Sequence, residues 1–307
     1  MVSLRTFHGA ARLGTLLAAL DCFRMSIARA FKLLAKEPPF RRLIQVGLFV
    51  VPTSVRTKAL WELGARPNYL VGVLAAADQA RRQNCSKMAV IEFGVAGGNG
   101  LVALDHWAAA VEKETGVEIA VYGFDTGGGL PTLCGDHRDH PDKWMAGDYA
   151  MDADALRKRL SRRTQLILGD TRDTVPEFAR NMLDSPIGFA SIDVDLYSST
   201  SSLLALFEGP QRRMLRRTYL YFDDVADPQA SFLHRFAGEL LAIDEFNDRS
   251  ADVKIDVWRG LRSGRVFHDS EWIEKMYIAH DLMAISNVRV ERAPLEDLRL
   301  RTTSSDP

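Results

Sequence analysis

IGFASIDVD (187–195) and TYLYFDD (218–224) are apolar runs that each end in a pair of carboxylates, Asp193 and Asp195 in the first, Asp223 and Asp224 in the second. Short apolar runs of this kind fit strands buried on both faces, as in a parallel sheet. Carboxylates at the C-terminal ends of such strands point into the crevice where open α/β sheets bind ligands. Four negative charges gathered there repel one another unless some take up protons or a cation sits among them.

Working outward from these runs, strand and helix signals alternate. The helical pattern NYLVGVLAAADQARRQ (68–83) leads into strand MAVIEFG (88–94), helix GLVALDHWAAAVEKE (100–114) and strand EIAVYGFD (118–125). A Gly- and His-containing segment, 126–150, breaks the rhythm. Helix DALRKRL (154–160), strand TQLILGD (164–170) and a helix opened by Thr174-Val-Pro-Glu177 come next, the last a capping-box pattern with Pro in the first turn. Helix SSTSSLLALFEG (198–209) joins the two acid-tipped strands. Asp227-Pro228 then reads as the N-cap and first residue of helix QASFLHRFAGELLAIDEF (229–246). VKIDVWRGL (253–261) and SNVRVERA (286–293) are strand candidates flanking the helix SEWIEKMYIAHDLM (270–283). Five strands alternating with helices predict an α/β, doubly wound, mostly parallel sheet, which the two late strands complete to seven.

This pattern divides the chain into a helical N-terminal accessory region (1–65), broken near Pro38-Pro39 and Pro52, a main domain (66–293) and a frayed tail (294–307). A balance of 47% hydrophobic and 26% charged residues is globular, and a net charge of -1 argues against general affinity for nucleic acid or anionic membrane. The basic runs LRKRLSRR (156–163) and RRMLRR (212–217) read as solvated helix faces or ends. Cys22, Cys85 and Cys134 are few, odd in number and widely spaced, which fits a reducing cytoplasm and no disulfide framework. Leu16–Leu20 is too short for a signal-peptide core, and LIQVGLFVVP (43–52) is too short to span a bilayer. Both read as packing against the main domain, and the apolar N-terminal helices offer a surface for a second copy of the chain.

IEFGVAGGNG (91–100) follows a strand and opens a helix. Gly94, Gly97 and Gly98 allow a tight turn and close backbone approach to a ligand at a helix N-terminus. The spacing is not G-x-G-x-x-G, and Glu92 suits an amino-acid ammonium better than a pyrophosphate, which it would repel. A nicotinamide enzyme is disfavoured on both counts. Asp125, ending the next strand, is placed to accept hydrogen bonds from ribose hydroxyls. Asp170, in ILGDTRDT (167–174), serves equally as a contact to an adenine amino group or as a turn residue.

EFGVAGGNG (92–100), YGFDT and GLP (122–131), LGDTRDTVPEF (168–178), IDVDLYSST (192–200) and YFDDV (221–225), in this order, resemble the macrocin and mycinamicin sugar O-methyltransferases. The resemblance covers roughly residues 65–260. These are class I, S-adenosylmethionine-dependent enzymes that use a divalent metal. It implies a Rossmann-like methyltransferase sheet, the methyl donor over Gly94–Gly98 with Glu92 nearby, Asp125 at the ribose and Asp170 near the adenine. It also implies Mg²⁺ on Asp193, Asp223 and Asp224, with Asp193 doubling as the base and Asp195 in support. Two adjacent hydroxyls of the acceptor, chelated by the metal, would be oriented and made more acidic.

Gly127 and Gly128 depart from that family, which carries an aromatic and an acidic residue there. In TLCGDHRDHPDKWMAGDYAMD (132–152), Cys134, His137 and His140 have zinc-like spacing but lack a clear fourth ligand. The segment reads better as a lid with Trp144 and Tyr149 as apolar closing surfaces and both histidines exposed. The expected activity is therefore methyl transfer to a hydroxyl of a small molecule, a sugar or glycosylated natural product. The alternative is a catalytically silent S-adenosylmethionine-binding or assembly module.

Overall fold

The structure, a computed structural model, describes residue 37 and residues 39–289. The run Leu16–Leu20, Cys22 and the tail from Pro294 lie outside the described residues. Seven strands form one sheet: β1 (Lys87–Phe93), β2 (Glu118–Asp125), β3 (Thr164–Leu168), β4 (Ile187–Ile192), β5 (Met214–Phe222), β6 (Val253–Val257) and β7 (Met276–Asp281). Their order is β3-β2-β1-β4-β5-β7-β6. The first five are parallel to one another, and β7 runs antiparallel between β5 and β6.

Period-2 alternation along the strands feeds two apolar layers. Met88 and Val90 of β1 face one way, into a cluster with Tyr69, Leu104, Trp107 and Phe189. Ala89, Ile91 and Phe93 face the other way, among Phe124, Phe178, Phe207 and Phe246. The first layer is closed by α3 (Pro67–Arg82) and α4 (Asn99–Thr115), preceded by α1 (Phe40–Phe49) and α2 (Val55–Trp61). The second is closed by helices that include α6 (Thr171–Asn181), α7 (Tyr197–Leu203) and α8 (Gly238–Arg249); short α5 (Ala153–Arg157) tucks Leu156 against the first layer. Helices on both faces of a sheet are what near-continuous apolar strands require. α1 has no buried residue, and Leu43, Val46 and Phe49 stand exposed along it. No helix among the described residues is long and apolar enough to cross a membrane.

Four expectations need correction. The run expected to continue a helix through Met283 is instead a 3-10 turn, Glu271–Lys275, followed by β7 and then short α9 (Leu282–Ser286). β7 is flanked by strands on both sides, so Met276 and Ile278 fill one layer while Tyr277 and Ala279 fill the other. A run that is apolar at every position carries no period to distinguish strand from helix. No strand follows at 286–289, and the remainder of that candidate lies outside the described residues. Asp227 does not cap a long helix: its Oδ1 accepts the Gln229 N–H in a local turn, and α8 starts only at Gly238. Finally, α6 starts at Thr171 under an Asp170 cap, three residues before the expected box, and Pro176 sits inside it.

The parallel strands place every acid-bearing strand end on one edge. At the switch point between β1 and β4 the chains almost touch: the Asp193 N–H donates to the Phe93 carbonyl (3.0 Å), and Gly94 follows at φ +80°. A Cβ on Gly94 would lie 1.7 Å from the Asp193 carbonyl oxygen, so only glycine fits.

Candidate functional site

Over that edge opens a cavity of about 330 Å³. Gly94, Ala96, Asp125 and Asp170 line it on one side, and Asp193, Asp195, Asp223 and Asp224 on the other. Trp144, Asp148 and Tyr149 of the 126–150 segment also line it, and Tyr149 remains exposed. The structure thus brings together seven of the ten residues picked out at the two sites, counting Asp195 as supporting. Gly97 and Gly98 do not reach the wall; Gly98 is the N-cap of α4. Neither does Glu92.

Glu92 lies beneath the turn, 2% exposed. Its Oε1 accepts the Tyr69 hydroxyl (2.7 Å), whose oxygen in turn accepts Ser191 Oγ–H (2.9 Å). Burial pushes its carboxyl up to about 8, and Oε2 has no partner. The Arg66 guanidinium stands 5.6 Å over the Tyr69 ring and draws on both Glu92 and Asp193.

Asp125 organises the turn. Its Oδ2 accepts the Val95 and Ala96 N–H groups (2.9 and 2.8 Å), and Oδ1 accepts that of Gly127 (2.7 Å). Asp170 Oδ1 accepts the Arg172 N–H (2.8 Å) as helix cap, and the carboxylate pairs with the Arg172 guanidinium, which holds it below the usual range. Gly127, which departs from the resembled family, therefore contributes a backbone donor that needs no side chain.

The opposite side is less well answered. Burial pushes Asp193 up to about 7, with Asp223 and Asp224 adding to it. Asp195 and Asp224 are likewise pushed to about 7, chiefly by burial and then by their carboxylate neighbours. Asp195 takes positive φ (+59°), an uncommon but tolerated conformation for Asp. Asp223 is the exception: its Oδ1 accepts the Tyr221 hydroxyl (2.6 Å) and the Lys275 ammonium (3.2 Å). Asp224 Oδ2 is buried with no partner.

Mg²⁺ takes hard oxygens, often from one or two carboxylates, and keeps several waters. Carboxylates are the right donors, and the orphaned Asp224 Oδ2 is an atom a cation would satisfy. Asp193, Asp223 and Asp224 share the cavity, but among the described residues no three His, Cys, Asp or Glu side chains converge to hold an ion. Asp223 already has its cation in Lys275. Asp223 meets Lys275 through Oδ1 alone, so the donor chemistry of Asp193, Asp223 and Asp224 suits Mg²⁺ while their present arrangement does not converge on one point.

The 126–150 segment is anchored from below. Asp139, fully buried, accepts the N–H and Oγ–H of Ser198 (both 2.8 Å) and the Cys134 N–H (2.6 Å). Arg138 stacks 4.8 Å over Tyr197. His137 is exposed as expected, but His140 is not: it is 4% exposed, set edge-on to Phe232 and His234. The residues 229–237 that fail to become helix supply those rings. Two residues escaped the sequence reading altogether. Lys275 sits on a turn expected to be helix, and Glu239, fully buried, accepts the Asp224 N–H (2.9 Å) from within an apparently ordinary amphipathic stretch.

No protein-family profile matches the chain, and no curated protein sequence does. Solved structures are similar in fold. The calicheamicin methyltransferase CalS11 superposes with a TM-score of 0.47 at 20% identity, over 73% of this chain and 90% of that one. The plantazolicin methyltransferase BamL, in complex with a desmethyl analogue and SAH, does so with 0.37 at 9% identity, over 81% and 98%. The mycinamycin-pathway methyltransferase MycE, in complex with Mg and SAH, gives 0.35 at 15%, over 74% and 53%. At such identities and superpositions, the chemistry of the site has to decide what it does.

Proposed function

We propose that this chain is an S-adenosylmethionine-dependent O-methyltransferase acting on a hydroxyl of a small molecule, a sugar or glycosylated natural product. One observation carries the reading. A single cavity joins a Gly-turn and its Asp125 to a cluster of under-satisfied carboxylates, so a donor and an acceptor have adjoining places. The five sequence blocks line up with those places, and the seven-stranded sheet is the one the resemblance implies.

The donor's ribose lies against Asp125. That carboxylate offers about four acceptor sites, and the turn amides use three of them. A ribose hydroxyl takes the remaining site or displaces an amide. Asp170 lies where the adenine ends, its charge already answered by Arg172. Glu92 acts from beneath the turn, through Tyr69 and the start of α4, where a Cβ on Gly100 would lie 1.9 Å from its Oε1.

On the acceptor side Asp193 is the base. With no cation beside it, a carboxyl near 7 is half ionised at neutral pH, the condition under which a general base is both available and strong enough to matter. Asp193 takes the hydroxyl proton as the oxygen bonds to the methyl carbon and the carbon–sulfur bond breaks. Trp144 and Tyr149 give the cavity apolar walls beside the reacting atoms. Asp193 and Asp224 are the residues that would hold Mg²⁺, which when bound lowers the pKa of a coordinated hydroxyl and orients it. Most of the rate gain comes from positioning and fixed electrostatics, with no covalent enzyme intermediate.

Isothermal titration with S-adenosylhomocysteine, followed by turnover assays on a panel of hydroxylated acceptors with and without EDTA, tests the reading. Donor binding with turnover supports it. Donor binding with no turnover on any acceptor favours the silent binding module, and NADH binding in place of S-adenosylhomocysteine overturns the donor assignment. Turnover indifferent to EDTA removes the metal and leaves Asp193 and Lys275 to manage the charge.

A further inference from the structure

Beneath the acid cluster lies a carboxyl group for which the proposed chemistry has no use. Glu239 is fully buried in the first turn of α8. Its Oε2 accepts the Asp224 N–H (2.9 Å), and its Oε1 has no partner. That N–H has left the β5 ladder, because the strand ends at Phe222 and Asp224 sits in a short turn at φ -102°, ψ 34°. The N–H is part-buried, and without an acceptor it would be left unsatisfied at a cost to the fold. Glu239 therefore fixes which conformation the Asp223–Asp224 turn adopts.

The preceding residue reaches the other acid pair. Gly238 has φ +59°; a Cβ there would lie 3.3 Å from His140 Nε2 and 4.0 Å from the Asp195 carbonyl oxygen. One dipeptide thus bonds to the β5 pair through Asp224 and lies close beside the Asp195 carbonyl of the β4 pair and His140 of the 126–150 segment, with little room for more than a glycine's hydrogen against His140. His140 is itself buried with its Nε2 unpartnered, so its position is set by packing against Phe232 and His234, next to Gly238.

We propose that the Gly238-Glu239 corner is a brace that sets the spacing of the two carboxylate pairs, with Glu239 as the positioning residue for Asp224. The brace acts through the backbone amide of Asp224, not through charge. A neutral side chain that still accepts that hydrogen bond does the same work, and one of equal bulk that cannot accept it does not. Its consequence for turnover rests on the methyltransferase reading; its consequence for the Asp224 backbone does not.

The test compares Glu239→Gln with Glu239→Met, the second keeping volume while losing the acceptor. Amide hydrogen exchange is read over residues 222–226 and 137–149 in the full chain, with melting temperature as the check on folding. E239Q is expected to exchange as wild type at 222–226. E239M is expected to exchange at least tenfold faster there, with the S-adenosylhomocysteine affinity within about threefold of wild type. Where turnover is measurable, E239M loses kcat at least tenfold with KM for the donor unchanged, and E239Q restores it. Should E239M not fold, Gly238→Ala serves: its methyl presses on His140, and faster exchange in both segments is expected. Unchanged exchange at 222–226 in E239M, or in G238A where E239M is lost, overturns the brace. So does an E239Q variant as impaired as E239M. If wild type shows no turnover on any acceptor, the exchange results still decide the brace while the methyltransferase reading falls separately.

Discussion

The two sides of the cavity, with two aspartates on one and four on the other, treat them differently. On the turn side, Asp125 accepts three backbone N–H groups, and Asp170 caps α6 while pairing with Arg172. On the acid side, Asp193, Asp195 and Asp224 are pushed to about 7, and Asp224 Oδ2 has no partner at all. A satisfied carboxylate is a fixture that shapes the backbone around it. An unsatisfied one stores a demand that a proton, a cation or a substrate hydroxyl can meet. The contrast separates the part of the site that positions from the part that reacts.

Removing the reactive charge should have the largest effect. Asp193→Asn keeps the shape and abolishes the base, and general-base removal costs on the order of 10²–10⁴-fold in turnover. Affinity for S-adenosylhomocysteine by titration should stay within a few fold, because the turn side is untouched. Wild-type turnover in this variant would dissolve the division between the two sides. On the turn side the order reverses. Asp125→Ala strands the amides of Val95, Ala96 and Gly127 and removes a ribose acceptor. Hydrogen bonds to a charged group are worth about 1.5–3 kcal/mol, so titration should find donor affinity weaker by roughly 10- to 100-fold. Turnover at saturating donor should change much less. Equal losses in affinity and saturated turnover would mean the turn also shapes the reacting centre.

The sequence made the positioning side and the strand ends legible because both are local. A strand followed by a Gly-rich turn, or by Asp-x-Asp, declares itself within a few residues, and parallel topology then gathers the ends on one edge. What stayed hidden depends on distant packing. β7 reads as helix because its apolar run is continuous, a result of its place between β5 and β6. Lys275 reaches Asp223 only because that run is a strand, which leaves Lys275 on the turn before it. His140 reads as exposed because nothing near it in sequence announces Phe232 and His234, which meet it from residues expected to be helical. Glu239 falls on the inner side of an amphipathic stretch, where a carboxyl looks like an exception to the pattern until the Asp224 amide is seen beneath it.

Glu92 offers a quieter way to sharpen the comparison, since it belongs to the turn side by position and to the acid side by its unsatisfied Oε2. Its folded carboxyl titrates near 8, well above its ordinary value of 4.5. Between those values the folded state holds a proton that the unfolded state has released, so the contribution is complete below pH 4.5 and is lost as pH climbs to 8. One such group contributes a slope of up to about 1.4 kcal/mol per pH unit. Glu92→Gln removes that slope. In thermal melts from pH 5 to 8 the variant should lose less stability than wild type, with its relative advantage greatest at pH 8. Parallel curves would show that Glu92 is solvated in the folded protein and belongs wholly to the turn.

The smallest expected effect concerns the one acid-side carboxylate that is already answered. Asp223 shares Oδ1 between Tyr221 and Lys275 and stands apart from the under-satisfied trio. Its negative charge still raises both Asp193 and Asp224, whereas Lys275 lowers both. Asp223→Asn removes the charge that raises them and leaves Lys275 with no carboxylate of its own, so the two changes act in the same direction. The base should ionise at lower pH, moving the acid limb of the kcat/KM profile down by about one unit. A base that ionises more readily is also weaker, so the gain below neutrality comes with a loss of a few fold on the plateau. A limb that shifts upward, or does not move, would mean that Asp223 acts on the reacting centre as a ligand and not as a neighbouring charge, and would return it to the reactive side.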